Sequence, residues 1–299
     1  MGVFNFDVFI SHSSADSAQA KRVEQALRRS RLRVWLDSSK IRVGSLLRDE
    51  LQSQIEGSRV VVLLWSKAAA RSRWVAAEVL TAFHTGRFIV PCSLDAAPPP
   101  VFLENAVRVD FRRDEREQLK TLRRAVREAP DAANELQPVL SAQEPELAEY
   151  AEKIAYEQRR EMELVGGWRL DDARKMHAAV DDLMRRVEKR WRLDATVLNL
   201  AGYHRKNAYT LKHWEAIQAG RPPKDRLLER AERFFFETLF VKPTNYEALN
   251  GLGSILIYER DLNAAAFFIR RAIHYAGQAG VDYPEAEHDL EMILPYVQG

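Results

Sequence analysis

A chain of 299 residues with 46% hydrophobic and 29% charged content can bury two cores, and its single cysteine, Cys92, excludes a disulfide framework or a cysteine-based zinc site. The formal net charge of +2 divides unevenly, with 22 Lys+Arg against 15 Asp+Glu in residues 1–130 and 23 against 28 in the remainder, which suits an anionic small ligand or an intramolecular contact better than nucleic acid. No basic-then-apolar leader opens the chain and no apolar run reaches the roughly 18 residues that span a bilayer, so a soluble, cytoplasmic protein with no membrane partner is expected.

The first apolar run, Phe6-Asp7-Val8-Phe9-Ile10, predicts a strand entering the polar turn Ser11-His12-Ser13-Ser14-Ala15-Asp16. Ala20, Val23, Ala26 and Leu27 recur at helical spacing between Ser17 and Arg29, and Val34-Trp35-Leu36 predicts a second strand. The loop Asp37 to Gly44 follows, then a helix over 46–55. Val60-Val61-Val62-Leu63-Leu64-Trp65 is a continuous apolar block, the mark of a parallel strand covered on both faces. The next helix has Ser72 as its N-cap, and Trp74 and Glu78, four residues apart, share one of its faces. Phe88-Ile89-Val90-Pro91-Cys92 and Val107-Arg108-Val109-Asp110-Phe111 complete five strands with interleaved helices, the pattern of a compact parallel sheet. In such sheets ligands sit beyond the carboxyl ends of the strands, where an early residue of the helix after the third strand points, so Glu78 is the candidate active-site residue.

The alternation stops between Pro130 and Tyr150, which sets the expected boundaries: an α/β domain over 1–130, a linker over 131–146 and an all-helical domain over 147–299. Helical patterns run from Leu147 to Val165, Leu170 to Trp191, Ala195 to Gln218, Asp225 to Val241, Asn245 to Glu259, Leu262 to Ala279 and Tyr283 to Tyr296.

The residues 7–16, the loop Asp37 to Gly44, the strand ending Leu64-Trp65-Ser66, the helix start Trp74-Val75-Ala76-Ala77-Glu78 and Gly86-Arg87-Phe88-Ile89-Val90-Pro91 together resemble a Toll/interleukin-1 receptor (TIR) domain. The resemblance covers roughly residues 1–130 and implies a five-stranded, flavodoxin-like parallel sheet. It also implies one of two functional classes, adaptors that only assemble and enzymes that cleave nicotinamide from NAD+. The enzymes carry a helix glutamate where Glu78 stands, often with an aromatic residue one turn earlier, as Trp74 is; adaptors usually lack the acid. Against this stands the reading of Glu78 as a solvated helix acid and of Trp74 as a core anchor. Resemblance places Ser11, His12 and Ser13 at the nicotinamide-ribose end, with Asp37 and Ser66 at neighbouring strand ends, and His12 reads equally as a locally bonded turn residue. The loop with Lys40, Arg42 and Gly44 resembles the segment through which such domains stack, or is simply an exposed charged loop.

Leu249, Leu252, Gly253, Leu256, Ala265, Ile269 and Ala272, with Asp261 at the turn, resemble one tetratricopeptide repeat, and Ala231, Phe235 and Pro243 resemble part of the unit before it. The insert Ala219-Gly220-Arg221-Pro222-Pro223 departs from that pattern, and a generic helical bundle is the alternative.

The reading is therefore an NAD+ hydrolase of the TIR type, using no cofactor or metal and taking NAD+ as substrate, that releases nicotinamide and ADP-ribose or a cyclic variant. Its expected setting is immune or anti-phage defence, with activation by self-association through TIR domains and a helical domain that senses a protein, peptide or small-molecule trigger. A non-catalytic adaptor or virulence interaction protein is the alternative. No phosphate-binding glycine loop, nucleophile elbow or His-Glu-x-x-His motif competes, and Arg123-Arg124 and Arg185-Arg186 read as solvated helix faces.

Overall fold

The computed structural model describes residues 4–36, 53–131, 134 and 144–297. The chain divides into two compact units, Met1–Pro138 and Val139–Gly299.

In the first unit the strands β1 (Phe6–Ser11), β2 (Val34–Leu36), β3 (Ser58–Trp65), β4 (Phe88–Ser93) and β5 (Val109–Asp110) form one parallel sheet in the order β2-β1-β3-β4-β5. Its register sets Ile10 beside Leu36 and Val62, and Val62 beside Val90. Both faces are dry, because alternate residues of a strand point to opposite sides and here both sets are apolar. Val8, Ile10, Val60, Val62, Leu64, Val90 and Cys92 pack with Ala20, Val23 and Leu27 of α1 (Ser17–Arg28) and with Leu122 and Val126 of α3 (Glu115–Glu128). Phe9, Val61, Leu63 and Ile89, from the intervening positions, are equally buried, and α2 (Arg73–His84) packs against β1 and β4.

Two expectations shift. The fifth strand is confined to Val109–Asp110, paired with Cys92 and Ser93, since Val107 is 94% exposed and has no face to cover. The helix expected over 46–55 falls mostly outside the described residues; residues 53–56 are helical.

The second unit is helical throughout its described residues: α4 (Pro145–Gly166), α5 (Leu170–Arg190), α6 (Ala195–Gln218), α7 (Arg226–Val241), α8 (Tyr246–Tyr258), α9 (Leu262–Gln278) and α10 (Pro284–Ile293), with a 3-10 turn over Leu294–Tyr296. The last helix is shorter than its pattern suggested, because Pro295 cannot continue the hydrogen-bond ladder. Successive helices pack on one another, α6 on α7 and α8 on α9 most extensively. Glycines permit the closest approaches. The Phe235 ring of α7 fills the spaces beside Gly202 of α6 and Gly251 of α8, and Ile269 of α9 fills that beside Gly253. This interdigitation is consistent with a tetratricopeptide-like array. The insert after α6 is pinned: Tyr209 donates to Pro223 O at 2.8 Å, and Asp225 caps α7 through Leu227 N at 2.8 Å. Asp225 also holds Lys212 at 2.7 Å and His213 at 2.8 Å, at the point where α6 departs from helical geometry.

Candidate functional site

The carboxyl ends of β1 and β3 and the first turns of α1 and α2 gather the candidate residues of the first unit. Ser72 caps α2 in extended geometry, accepting from Val75 N at 3.3 Å, which fixes where the helix begins and hence which way Glu78 faces. Glu78 sits on a face it shares with Trp74, Val75 and Ala82 and keeps 7% of its surface. Ser11, the last residue of β1, is fully buried, and its hydroxyl donates to Glu78 Oε2 at 2.5 Å. A carboxylate withdrawn from water is tolerated only with such partners, and a hydrogen bond to a charged acceptor is roughly twice as strong as a neutral one. Glu78 is thus no solvated helix acid. It is a buried acid joined to the strand end, on a helix start held in place by its cap.

Trp74, one turn earlier, is 40% exposed, so the indole stands at the surface of the helix start and is not enclosed in the core. Ser13 is buried, and its hydroxyl caps the short 3-10 turn Ser14–Asp16, accepting from Ala15 N at 3.4 Å. His12 is half-buried, with Nε2 3.5 Å from Ser17 Oγ. Ser66 donates to Asp16 Oδ2 at 2.6 Å and accepts from Ala68 N and Ala69 N at 3.1 and 3.0 Å. Of the candidates, then, the structure joins Ser11 to Glu78, while the Ser13 and Ser66 hydroxyls are committed to turns. Asp37, Lys40, Arg42 and Gly44 lie outside the described residues.

Two residues beyond the sequence candidates shape this edge. Asp16 ties the end of β3 to the start of α1 through Ser66, and its place at the close of a Ser-rich turn before a helix was the available signal. Asp95 accepts from Lys67 N at 2.9 Å and Ala97 N at 2.8 Å, joining the loops after β3 and β4; burial opposes its ionisation, but these N–H groups hold it below the usual carboxylate range. Trp65 closes the same corner, its indole N–H donating to Pro98 O at 2.7 Å. Cys92, within β4, is buried and its thiol is pushed far up by burial, so it is packing and not a nucleophile. Among the described residues no group of three or more His, Cys, Asp or Glu side chains could hold a metal ion.

Comparison with known proteins finds similarity in the first unit. Residues 8–126 match the family model described as TIR domain. A 70-residue stretch is 31% identical to a protein of Methanobrevibacter olleyae named as a probable 2′ cyclic ADP-D-ribose synthase, TcpO; the stretch is 23% of this chain and 20% of that relative, so the match spans about a fifth of the relative's length. Solved structures similar to 41% of the chain include the TIR domain of the Toll-related receptor TRR-2 from Hydra magnipapillata, at 16% identity and a TM-score of 0.38. They also include the TIR domains of the activated Roq1 resistosome that recognises the pathogen effector XopQ, at 19% and 0.37; each comparison covers 99% of the other chain. Residues 8–126 are a TIR domain, with the Ser11–Glu78 pair at the carboxyl edge of its sheet.

Proposed function

We propose that this TIR domain cleaves the bond between nicotinamide and ribose in NAD+, with Glu78 as the catalytic carboxylate. The observation that carries the reading is the acid itself: nearly buried, one oxygen taken by the Ser11 hydroxyl, at the sheet edge where ligands of such folds bind. As the C1′–N bond breaks, its electron pair leaves with nicotinamide, which departs neutral and needs no general acid. Positive charge builds on the ribose, and an anion fixed against the sugar stabilises it most at that moment. Addition of water at C1′, with loss of a proton, gives ADP-ribose; attack by a hydroxyl of the same molecule, again with loss of a proton, gives a cyclic product. The name of the TcpO relative supports NAD+ cleavage in general and makes the cyclic product a natural outcome to assay.

On the same reading the pocket is completed by self-association through the segment with Lys40, Arg42 and Gly44, and the helical unit responds to a trigger, as in an immune or anti-phage effector. Trp74, exposed one turn before Glu78, is then available to the substrate.

The test is nicotinamide release by purified full-length protein across a range of protein concentrations, beside Glu78→Gln, with chromatography of the products. The expectation is a rate per protomer that rises with concentration and falls by about 10²-fold or more in the variant. Equal turnover by the two proteins removes Glu78 from its role, and a folded wild type silent at every concentration favours the interaction-only alternative.

A further inference from the structure

A cluster of arginines without carboxylate partners among the described residues lies at the other end of the same sheet. Ser30 closes the turn after α1, and the carboxyl-terminal half of α3 runs beside it. Arg123 donates from Nε to Leu119 O at 3.2 Å and from Nη1 to Ser30 Oγ at 3.4 Å, and Arg127 donates from Nη2 to Ser30 O at 3.3 Å. Arg59, at the start of β3, holds the end of α3 through Ala129 O at 2.8 Å and through Val126 O. Asp7, at the start of β1, likewise holds Arg33 at 2.9 Å. These contacts mark the edge at which the strands begin, opposite the Ser11–Glu78 pair. Ser30, Lys120, Arg123, Arg124, Arg127 and Glu128 line an open cavity of about 340 Å³ there.

Several other cations of the unit are held by carboxylates. Arg22 meets Glu115, Arg28 meets Glu24, Arg33 meets Asp7 and Arg112 meets Asp110, each within 3.0 Å. Among the described residues, Arg123, Arg124 and Arg127 have no carboxylate partner, and neither do Arg29 and Arg31 on either side of Ser30. Arg123 and Arg127 are oriented by neutral acceptors instead. That leaves their charge intact and part of each five-donor fork open, while the rotamer ordering that binding would otherwise require is already done. Lys120 is paired with Glu117 at 2.7 Å, and Glu128 supplies one acid at the rim.

We propose that this cavity is a binding site for a small polyphosphate anion, distinct from the NAD+ site proposed at the opposite edge. Guanidinium forks match carboxylate and phosphate oxygens alike, but three arginines without carboxylate partners around one cavity call for several negative charges in a small volume, which a polyphosphate supplies. A cavity of this size takes a di- or triphosphate and is confined to one end of α3, whereas a nucleic-acid strand would need a longer basic track.

The test uses the full chain, titrated with sodium tripolyphosphate at physiological salt and followed by calorimetry. The comparison proteins are an Arg123→Gln/Arg127→Gln double variant and, as a control for general basicity, Arg185→Gln/Arg186→Gln in the helical unit. The expected result is saturable binding to the wild type and the control, weakened at least about tenfold in the Arg123/Arg127 variant, with orthophosphate weaker than tripolyphosphate throughout. Thermal melting of each free protein establishes that the variants fold. Equal binding by the folded Arg123/Arg127 variant, or no saturable binding by the wild type, overturns the site. A single-stranded oligonucleotide that binds more tightly than tripolyphosphate, and is lost in the same variant, overturns the small-ligand assignment.

Discussion

Replacing Ser11 by alanine tests whether the buried hydroxyl positions Glu78 for chemistry or merely fills the end of β1. The substitution removes one oxygen from a fully buried site and leaves Glu78 Oε2 without the donor now 2.5 Å away. A hydrogen bond to a charged acceptor is worth about 1.5–3 kcal/mol, which as lost transition-state stabilisation is a fall of about 10- to 100-fold in rate. A Ser11 that acts through the carboxylate to which it donates should give up kcat and leave KM little changed. Nicotinamide release at saturating and limiting NAD+ separates the two, and Ser11→Thr, which keeps the hydroxyl, should recover part of kcat. A folded Ser11→Ala protein with wild-type kcat would refute the positioning role, and a loss confined to KM would place Ser11 against substrate instead.

Two further outcomes concern the helical unit. A methyl group at Gly202 would stand 2.6 Å from Phe235 Cε1, so Gly202→Ala should destabilise by about 1–3 kcal/mol through overpacking; chemical denaturation checks this, and a second substitution, Phe235→Leu, should relieve part of the loss. His204 is fully buried, stacks on His177 with ring centroids 4.2 Å apart, and has Nε2 3.1 Å from Asp181 Oδ1. Burial first, then the His177 ring, bring its pKa down to about 4 against the opposing Asp181 bond, so the folded state binds its proton less readily than the unfolded chain. The stability this group contributes is present above about pH 6.5 and is lost as pH falls toward about 4, a difference of about 3 kcal/mol. Denaturant melts at several pH values should show that slope diminished in His204→Gln, and an unchanged slope would show that another group carries it.

The sheet was legible because burial on both faces removes the choice of which residues to make apolar: Val60 to Trp65 reads as a strand wherever it stands, whereas its place between β1 and β4 is not encoded in the run itself. Ser72 was legible for a local reason, since a cap bonds an N–H three residues on. Ser66 and Ser13 were not. A hydroxyl at a strand end can meet a ligand or a turn N–H, and that competition is settled by backbone geometry that spacing does not encode. The departure of α6 from helical geometry at His213 coincides with a bond to Asp225, twelve residues later and beyond a polar insert, which no window of helical periodicity contains. Gly202 and Gly251 belong to different helices and share one ring, which is a fact about packing between elements and has no signature in either helix alone.

The setting of the Ser11–Glu78 pair also constrains how any control over it can operate. Ser11 ends a strand whose preceding residues Val8, Phe9 and Ile10 are at most 1% exposed, and Glu78 is flanked on its helix by Val75, Val79 and Leu80, all fully buried. Close-packed neighbours of this kind resist graded displacement, because each small shift forfeits contacts on several sides at once. Moving the acid would therefore cost a large part of the unit's stability, whereas changing what covers it would cost little. An activator of this site should alter access to the carboxylate and the groups that complete the pocket, and leave the 2.5 Å bond between strand and helix as it is.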